Sequence, residues 1–350
     1  MFKARWIVSA RYDLFFFMGS CIFAFAFLGL YRIAHHFKFI LNGEAVLVTY
    51  FFFTAIFDHP HIFQTFARTH LDQEEFQRRK FLHTWGLLFF ILVGLAISIA
   101  GYDSQLILFA SLFGSYHIIR QHYGFLRAYK GLNQDREPLD NWLDYSMFYF
   151  GMFACFFNDY TGQQNNGYIT IYANMKAWFP DLPDFLPDFL WGIFTILLAL
   201  FIARQVWKLL VGEAINLPKI LLLTTALGTH YFIFFVTATP FLIAEAIETA
   251  YHDVQYQGWI MHYQRQRYPE RRGMVMKWLL ASLAYGLLIG ILEVYGLWKQ
   301  GWLMLLFVPF TMIVIYHYWV DGLIWRFSQD ASLRETMFGN NKNATVTTDK

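Results

Sequence analysis

AVLVTYFFFTAIFDHPHIFQTF (45–66) is apolar for long enough to enter a bilayer, then places Asp58, His59, Pro60 and His61 before the run ends. A membrane span needs about 20 mostly apolar residues. An ionisable side chain at bilayer depth costs roughly 2.5 to 3.5 kcal/mol unless it pairs, lines water or binds something. The stretch therefore predicts a transmembrane helix that carries part of a buried polar site. Pro60 removes one backbone donor and loosens the turn that presents both histidines.

The same pattern recurs outward from this run. Apolar runs near 12–34, 45–66, 82–100, 106–128, 142–157, 189–212, 220–238, 243–264, 274–299 and 302–325 predict about ten spans. Charged residues make up only 15% of the 350 residues, well below the ~25% of a soluble domain, and 57% are hydrophobic. The fold class is all-α, a polytopic integral membrane bundle. Residues 1–326 read as one transmembrane helical domain and 327–350 as a disordered cytoplasmic tail. The first run, Tyr12 to Ala34, lacks a small-residue cleavage site and reads as a retained anchor.

Lys and Arg set the orientation. Of 27, only Arg32, Lys38, Lys176 and Lys299 fall in outer connections and Arg120 within a span. The others lie on the opposite side, which places both termini in the cytoplasm, with a bacterial inner membrane as the expected location. The connection 158–188 reads as a surface loop with an interfacial aromatic segment at Trp178 and Phe179. A net charge of +2 gives no footprint for nucleic acid. Cys21 and Cys155 both lie in spans, so neither a disulfide framework nor thiolate ligation is expected. The pattern does not select an oligomeric state.

At about 1.5 Å per helical residue, His59, His61, His122 and His317 lie roughly 21 to 24 Å from the outer ends of their spans. His117 and His252 sit nearer mid-membrane. Ring nitrogens from four helices thus share the cytoplasmic half of the bundle. In the eighth span Glu245, Glu248, Thr249, His252, Tyr256 and Tyr263 fall on one helical stripe. That stripe cannot face lipid. Asp58 and His61 are three apart, and His317 and Asp321 four apart, so a carboxylate stacks on a histidine in each case. His117 and His122 are five apart, about 140° around a helix, and converge on one ion only if they flank it. His35 and His36 are expected in solvent, and His70, His83 and His262 at the interface. His230 is expected to be structural, and Glu245 to reach water near the outer end of its helix.

Imidazole and carboxylate without thiolate suit iron, zinc or copper. The expected ligands are His59, His61, His117, His122, His252 and His317, with Asp321. Asp58, Asp253 and Arg120 form the expected catalytic set, the carboxylates orienting histidines or bridging metals and the arginine balancing charge. So many histidines favour a dinuclear non-haem iron centre. At these residues the chain resembles the histidine-rich polytopic membrane oxygenases and desaturases, whose histidine boxes bind non-haem iron at the cytosolic membrane surface. His117-x4-His122 fits the first box, but the paired box His-x2-3-His-His is absent, since the one His-His pair is His35-His36. Asp58-His59-Pro60-His61 is loosely similar to the proline-histidine element of bacterial membrane carotene-cleaving oxygenases, where a histidine set holds one iron. The resemblance implies oxidative modification of a lipid or other apolar substrate in the bilayer, with an electron-donor protein as partner. A multi-pass transporter using the Glu245, Glu248, His252 stripe and a haem or quinone electron carrier stay open as alternatives.

Overall fold

The computed structural model describes residues 2–38, 44–271, 273–299 and 304–339. They form a helical bundle, and seven of the helices are long and apolar enough to cross a membrane. These are α1 (Ala10–Phe37), α2 (Ala45–Thr69), α4 (Lys80–Ile99), α7 (Leu186–Leu210), α8 (Leu217–Val236), α10 (Met274–Lys299) and α11 (Met304–Ile324). Three further long helices, α5 (Asp103–Leu132), α6 (Pro138–Gln163) and α9 (Phe241–Arg267), coincide with predicted spans but are more polar. Short helices α3 (Gln73–Arg78) and α12 (Ala331–Phe338) lie at one end of the bundle.

Burial sorts the helices as their composition requires. The outward faces of α4, α7 and α10 expose Phe81, Phe89, Leu92, Ile196, Leu200, Leu280, Leu288 and Ile291, side chains that only an apolar solvent suits. In contrast α9 is buried along most of its length, from Phe241 to Gln264, and packs against α1, α2, α8, α10 and α12. The most polar helix is thus the central one. Its polar groups meet other helices rather than lipid, as backbone-saturated bilayer packing demands.

Two helices change pitch beside the core. A π-helical turn over Thr54–Asp58 interrupts α2, and His59-Pro60-His61 starts the next regular turn with Pro60 in its first turn, where a missing N–H costs least. Helix α10 approaches this turn through glycines. A Cβ at Gly286 would lie 2.5 Å from both Ala55 O and Pro60 Cδ, and one at Gly290 would lie 2.9 Å from Thr54 Oγ1. Only glycine permits that contact, and it holds the histidine-bearing turn in place.

Three expectations change. The connection 158–188 is not simply a surface loop: α6 runs on to Gln163, and β2 (Gln164–Asn165), β3 (Tyr168–Tyr172) and β4 (Met175–Trp178) pair antiparallel after it. Phe179 is buried on Tyr160, ring centroids 5.0 Å apart, rather than interfacial. The segment after residue 327 is not disordered throughout. Asp330 caps α12 by accepting from the Leu333 N–H, and Leu333, Met337 and Phe338 bury against the core. Apolar residues four and five positions after Leu333 on a capped helix supply the face that composition alone concealed. Residues 340–350, including the Asn343-Ala344-Thr345 pattern, lie outside the described residues. The amino-terminal strand β1 (Phe2–Lys3) pairs parallel with β5 (Ile215–Asn216).

Ion-pair networks stitch the helix ends. Arg68 donates to Asp72 (2.7 Å) and to Asp330 (3.0 Å), tying α2 to the start of α12. Burial would raise the Asp72 carboxyl, but the Tyr263 hydroxyl and the Arg68 and Arg267 guanidinium groups hold it below its ordinary value. A second network joins Lys219 to Asp135 (2.7 Å) and Asp144 (2.9 Å), with Lys130 also on Asp144.

Candidate metal centre

Four helices deliver one histidine each to the middle of the bundle: His61 from α2, His117 from α5, His252 from α9 and His317 from α11. One ring nitrogen from each lies within 4.8 Å of the others, and all four residues are buried. His61 Nε2 and His317 Nε2 are 2.9 Å apart. Two ligands at about 2.1 Å from one ion, subtending about 90°, stand about 3 Å apart. Ring centroids separate by 4.6 Å for His61–His317, 4.9 Å for His117–His252 and 5.0 Å for His117–His317.

The hydrogen-bond inventory distinguishes this cluster from a packed core. His117 Nε2 and both nitrogens of His252 have no hydrogen-bond partner, and neither do His61 Nδ1 or the two carboxylate oxygens of Asp253. Asp253 Oδ1 approaches His61 Nδ1 to 2.8 Å, but out of line for a hydrogen bond. Each buried polar group left unsatisfied costs ~1–3 kcal/mol. Six unpartnered atoms on four neighbouring residues, imidazole nitrogens and carboxylate oxygens, have the donor chemistry of a cation site. The residues therefore fit a metal ion of the imidazole-binding class.

Two sets of groups meet at His61. Its Nε2 edge faces the other histidines, and its Nδ1 edge faces Asp253 and Asp58, the latter at 3.7 Å. Asp58, His61 and Asp253 also bring ligand atoms within 4.8 Å of one another. A dication with two carboxylates is neutral, which suits a site that no Lys or Arg enters among the described residues. His317 is oriented differently from expectation. Its Nδ1 lies 2.7 Å from Thr65 Oγ1 and 3.8 Å from Asp321 Oδ1, so a hydroxyl stands between histidine and carboxylate. Asp321 accepts from Tyr256 Oη at 2.9 Å and from Thr65 at 3.3 Å. With its Nε2 turned to the cluster, His317 donates Nδ1–H to Thr65, which in turn donates to Asp321. Asp321 thus acts on the ligand through Thr65 and is not itself among the convergent groups, a correction to its expected place as a ligand.

Three other expected site residues fall elsewhere. His59 is two residues from His61, about 200° around the helix, and faces α10. There its Nε2 meets Glu293 Oε2 at 2.9 Å, and Tyr50 Oη donates to the other Glu293 oxygen. His122, 140° from His117, faces α8, with its ring 5.4 Å from that of His230. Arg120 is exposed. It donates to Tyr149 Oη at 2.9 Å and stacks over the Tyr123 ring at 4.7 Å, meeting none of Asp58, Asp253 or Asp321. A guanidinium stays charged, and a peripheral aromatic face accommodates it at lower cost than the dry centre.

Among the remaining histidines, His35 and His36 are exposed as expected. His70 and His262 bind the backbone carbonyls of His83 and Met337, and His83 reaches Glu75. Sequence reasoning missed Glu293, Asp159 and the ordering role of Thr65. Glu293 was findable, since it is a lone carboxylate in an apolar run. Thr65 was not, because a hydroxyl in a span has many uses. Comparison with family models, curated proteins and solved structures finds no match to this chain.

Proposed function

We propose that this chain is a membrane-embedded metalloenzyme, with His61, His117, His252 and His317 as the ligands of a non-haem iron and an apolar molecule from the bilayer as substrate. The observation that carries it is the convergence of four buried imidazoles, among which His117 Nε2 and both nitrogens of His252 have no hydrogen-bond partner. Imidazole with nearby carboxylate and no thiolate suits iron, with zinc and copper the nearest competitors. Bound there, iron supplies one-electron and oxygen chemistry, which matches desaturation, hydroxylation or cleavage of a lipid. The chain's own part is to fix the ligands. Thr65 and Asp321 hold the tautomer of His317, Asp253 and Asp58 balance charge beside His61, and the aromatic bundle keeps bulk water out. A second ion, if bound, would be held by Asp58 and Asp253 beside His61.

The same reading takes all ten long helices as spans with both termini in the cytoplasm of a bacterial inner membrane, and an electron-donor protein as partner. A haem reading fares worse, since histidine rings 4.6 to 5.0 Å apart leave no slot for a porphyrin between them. The experiment is elemental analysis with an optical spectrum on detergent-purified protein, wild type beside His252→Ala and His317→Ala. One or two irons per chain, no Soret band and loss of iron in both variants support the proposal and lead to oxygen-consumption assays with membrane lipids. Equal metal content in all three proteins removes it, and zinc in place of iron redirects it toward hydrolysis.

A further inference from the structure

One helical turn from His252 on α9, a second polar cluster lies toward the end of the bundle that carries β3 and β4. It holds Glu245 and Glu248 of α9, Asp159 of α6, His230 of α8 and His122 of α5. Glu248, His230 and His122 are fully buried. Glu245 Oε1, Asp159 Oδ2 and His122 Nε2 have no hydrogen-bond partner. Asp159 and Glu248 are the charges beside Glu245, and among the described residues no Lys or Arg pairs with any of the three carboxylates. Three carboxylates inside an apolar bundle without a Lys or Arg partner require protons, on themselves or on His230, or a cation. Among the described residues no three of these groups bring ligand atoms within 4.8 Å of one another, unlike the four-histidine set. The cluster does not close on one point as the four histidines do, so the geometry favours protons as the compensating charge.

The histidine geometry says where those protons can sit. His230 Nδ1 lies 2.7 Å from Ala226 O, and a carbonyl only accepts, so Nδ1 carries a hydrogen. Its Nε2 lies 2.8 Å from Glu248 Oε1. A neutral His230 must therefore accept from a protonated Glu248, and a charged His230 must donate to a Glu248 carboxylate. Either way one proton is shared between two atoms within transfer distance. His122 repeats the arrangement with Nδ1 3.0 Å from Ile118 O, which leaves an Nε2 lone pair open to receive a proton. Its ring stands beside those of His230 and Tyr251, and within electrostatic reach of His252.

We propose that Asp159, Glu245, Glu248, His230 and His122 form a proton-holding relay that exchanges protons with the four-histidine centre one turn away. The titratable groups facing Glu248 from other helices are Cys155, Asp159, Tyr160, His230 and Tyr318, and His122 stands beside His230. On its own helix Glu245 and Asp253 are the charged neighbours. What the protons serve rests on the metal-centre reading, but whether the cluster holds them does not. When a dication enters the centre, the relay loses protons to solvent, because the positive charge disfavours them.

The test uses the full chain in detergent. Ferrous ion is added to chelated protein, and protons released are counted calorimetrically in buffers of different ionisation enthalpy. Infrared spectra of the metal-free protein are recorded across pH. The expected result is a protonated-carboxyl band that weakens in Glu248→Gln and in Asp159→Asn, with about one proton fewer released per ion in each variant and iron content unchanged. Exposed Glu213→Gln serves as the control and leaves both readouts as in wild type. Identical band and proton count in wild type, Glu248→Gln and Asp159→Asn overturn the relay. If iron does not bind to wild type, the metal centre falls while the infrared titration still decides the relay; if Glu248→Gln does not fold, Asp159→Asn carries the comparison.

Discussion

Replacing His252 with leucine changes the sign of its effect on stability depending on whether the centre is loaded. Both ring nitrogens of His252 are buried and unpartnered in the bundle. In protein stripped of metal, the imidazole leaves one donor and one acceptor unsatisfied, at ~1–3 kcal/mol each. Leucine fills a similar volume without polar atoms, so metal-free His252→Leu gains about 2 kcal/mol. In loaded protein the histidine is a ligand, and its loss forfeits the linkage stabilisation, ~4.1 kcal/mol when free metal is a thousandfold above its dissociation constant, which outweighs that gain. Wild type therefore melts higher than the variant with iron present and lower after chelation. The assay is thermal unfolding of both proteins in one detergent, before and after chelation, with metal content measured on the same samples. A variant that melts below wild type by the same margin in both states refutes the argument, because His252 would then be held by packing alone.

Further outcomes follow from particular contacts. Thr65→Val removes the hydroxyl between His317 Nδ1 and Asp321, and iron affinity is expected to fall ~10- to 100-fold with the helix content unchanged, read by competition with a chelator. Gly286→Ala drives a methyl into Ala55 O and Pro60, which predicts ~1–3 kcal/mol of destabilisation and partial loss of metal, measured by denaturant unfolding and elemental analysis. Arg120→Gln and His59→Gln leave metal content as in wild type, since Arg120 meets aromatic rings and His59 meets Glu293; loss of metal in either would return that residue to the centre. Burial alone would raise the Asp135 carboxyl, yet Lys219 and Lys130 hold it down to about 2. A carboxyl depressed on folding contributes fully above its unfolded value near 4. That contribution, ~2 kcal/mol, is lost as pH falls from about 4 to about 2, and Asp135→Asn flattens this part of the acid-unfolding curve.

Much of the fold was legible because apolar length and helical period are local properties. Ten long helices lie where ten apolar runs were read, and the short fifth run became a longer helix because Pro138 and the polar ends of α6 are helical without being apolar. The site was legible only in part. An ionisable residue in an apolar run announces itself by its desolvation cost, which singled out His61, His117, His252, His317, Asp58 and Asp253. The same cost applies equally to His59, His122 and Arg120, so it could not say which of them converge.

The chain's own order of residues determined that it is an all-α membrane bundle, that its most polar helix must be interior, and that buried histidines and carboxylates must find partners. Rotation about each helix and the pairing of helices decided the rest. Residues two or five apart on one helix point to different neighbours, so His59 went to Glu293 and His122 to the His230 side, while His61 and His117 met His252 and His317. The glycines of α10 and the π-helical turn of α2 set that rotation through backbone contacts between residues more than two hundred positions apart. No local pattern encodes such a contact, because its energy exists only once both helices are packed.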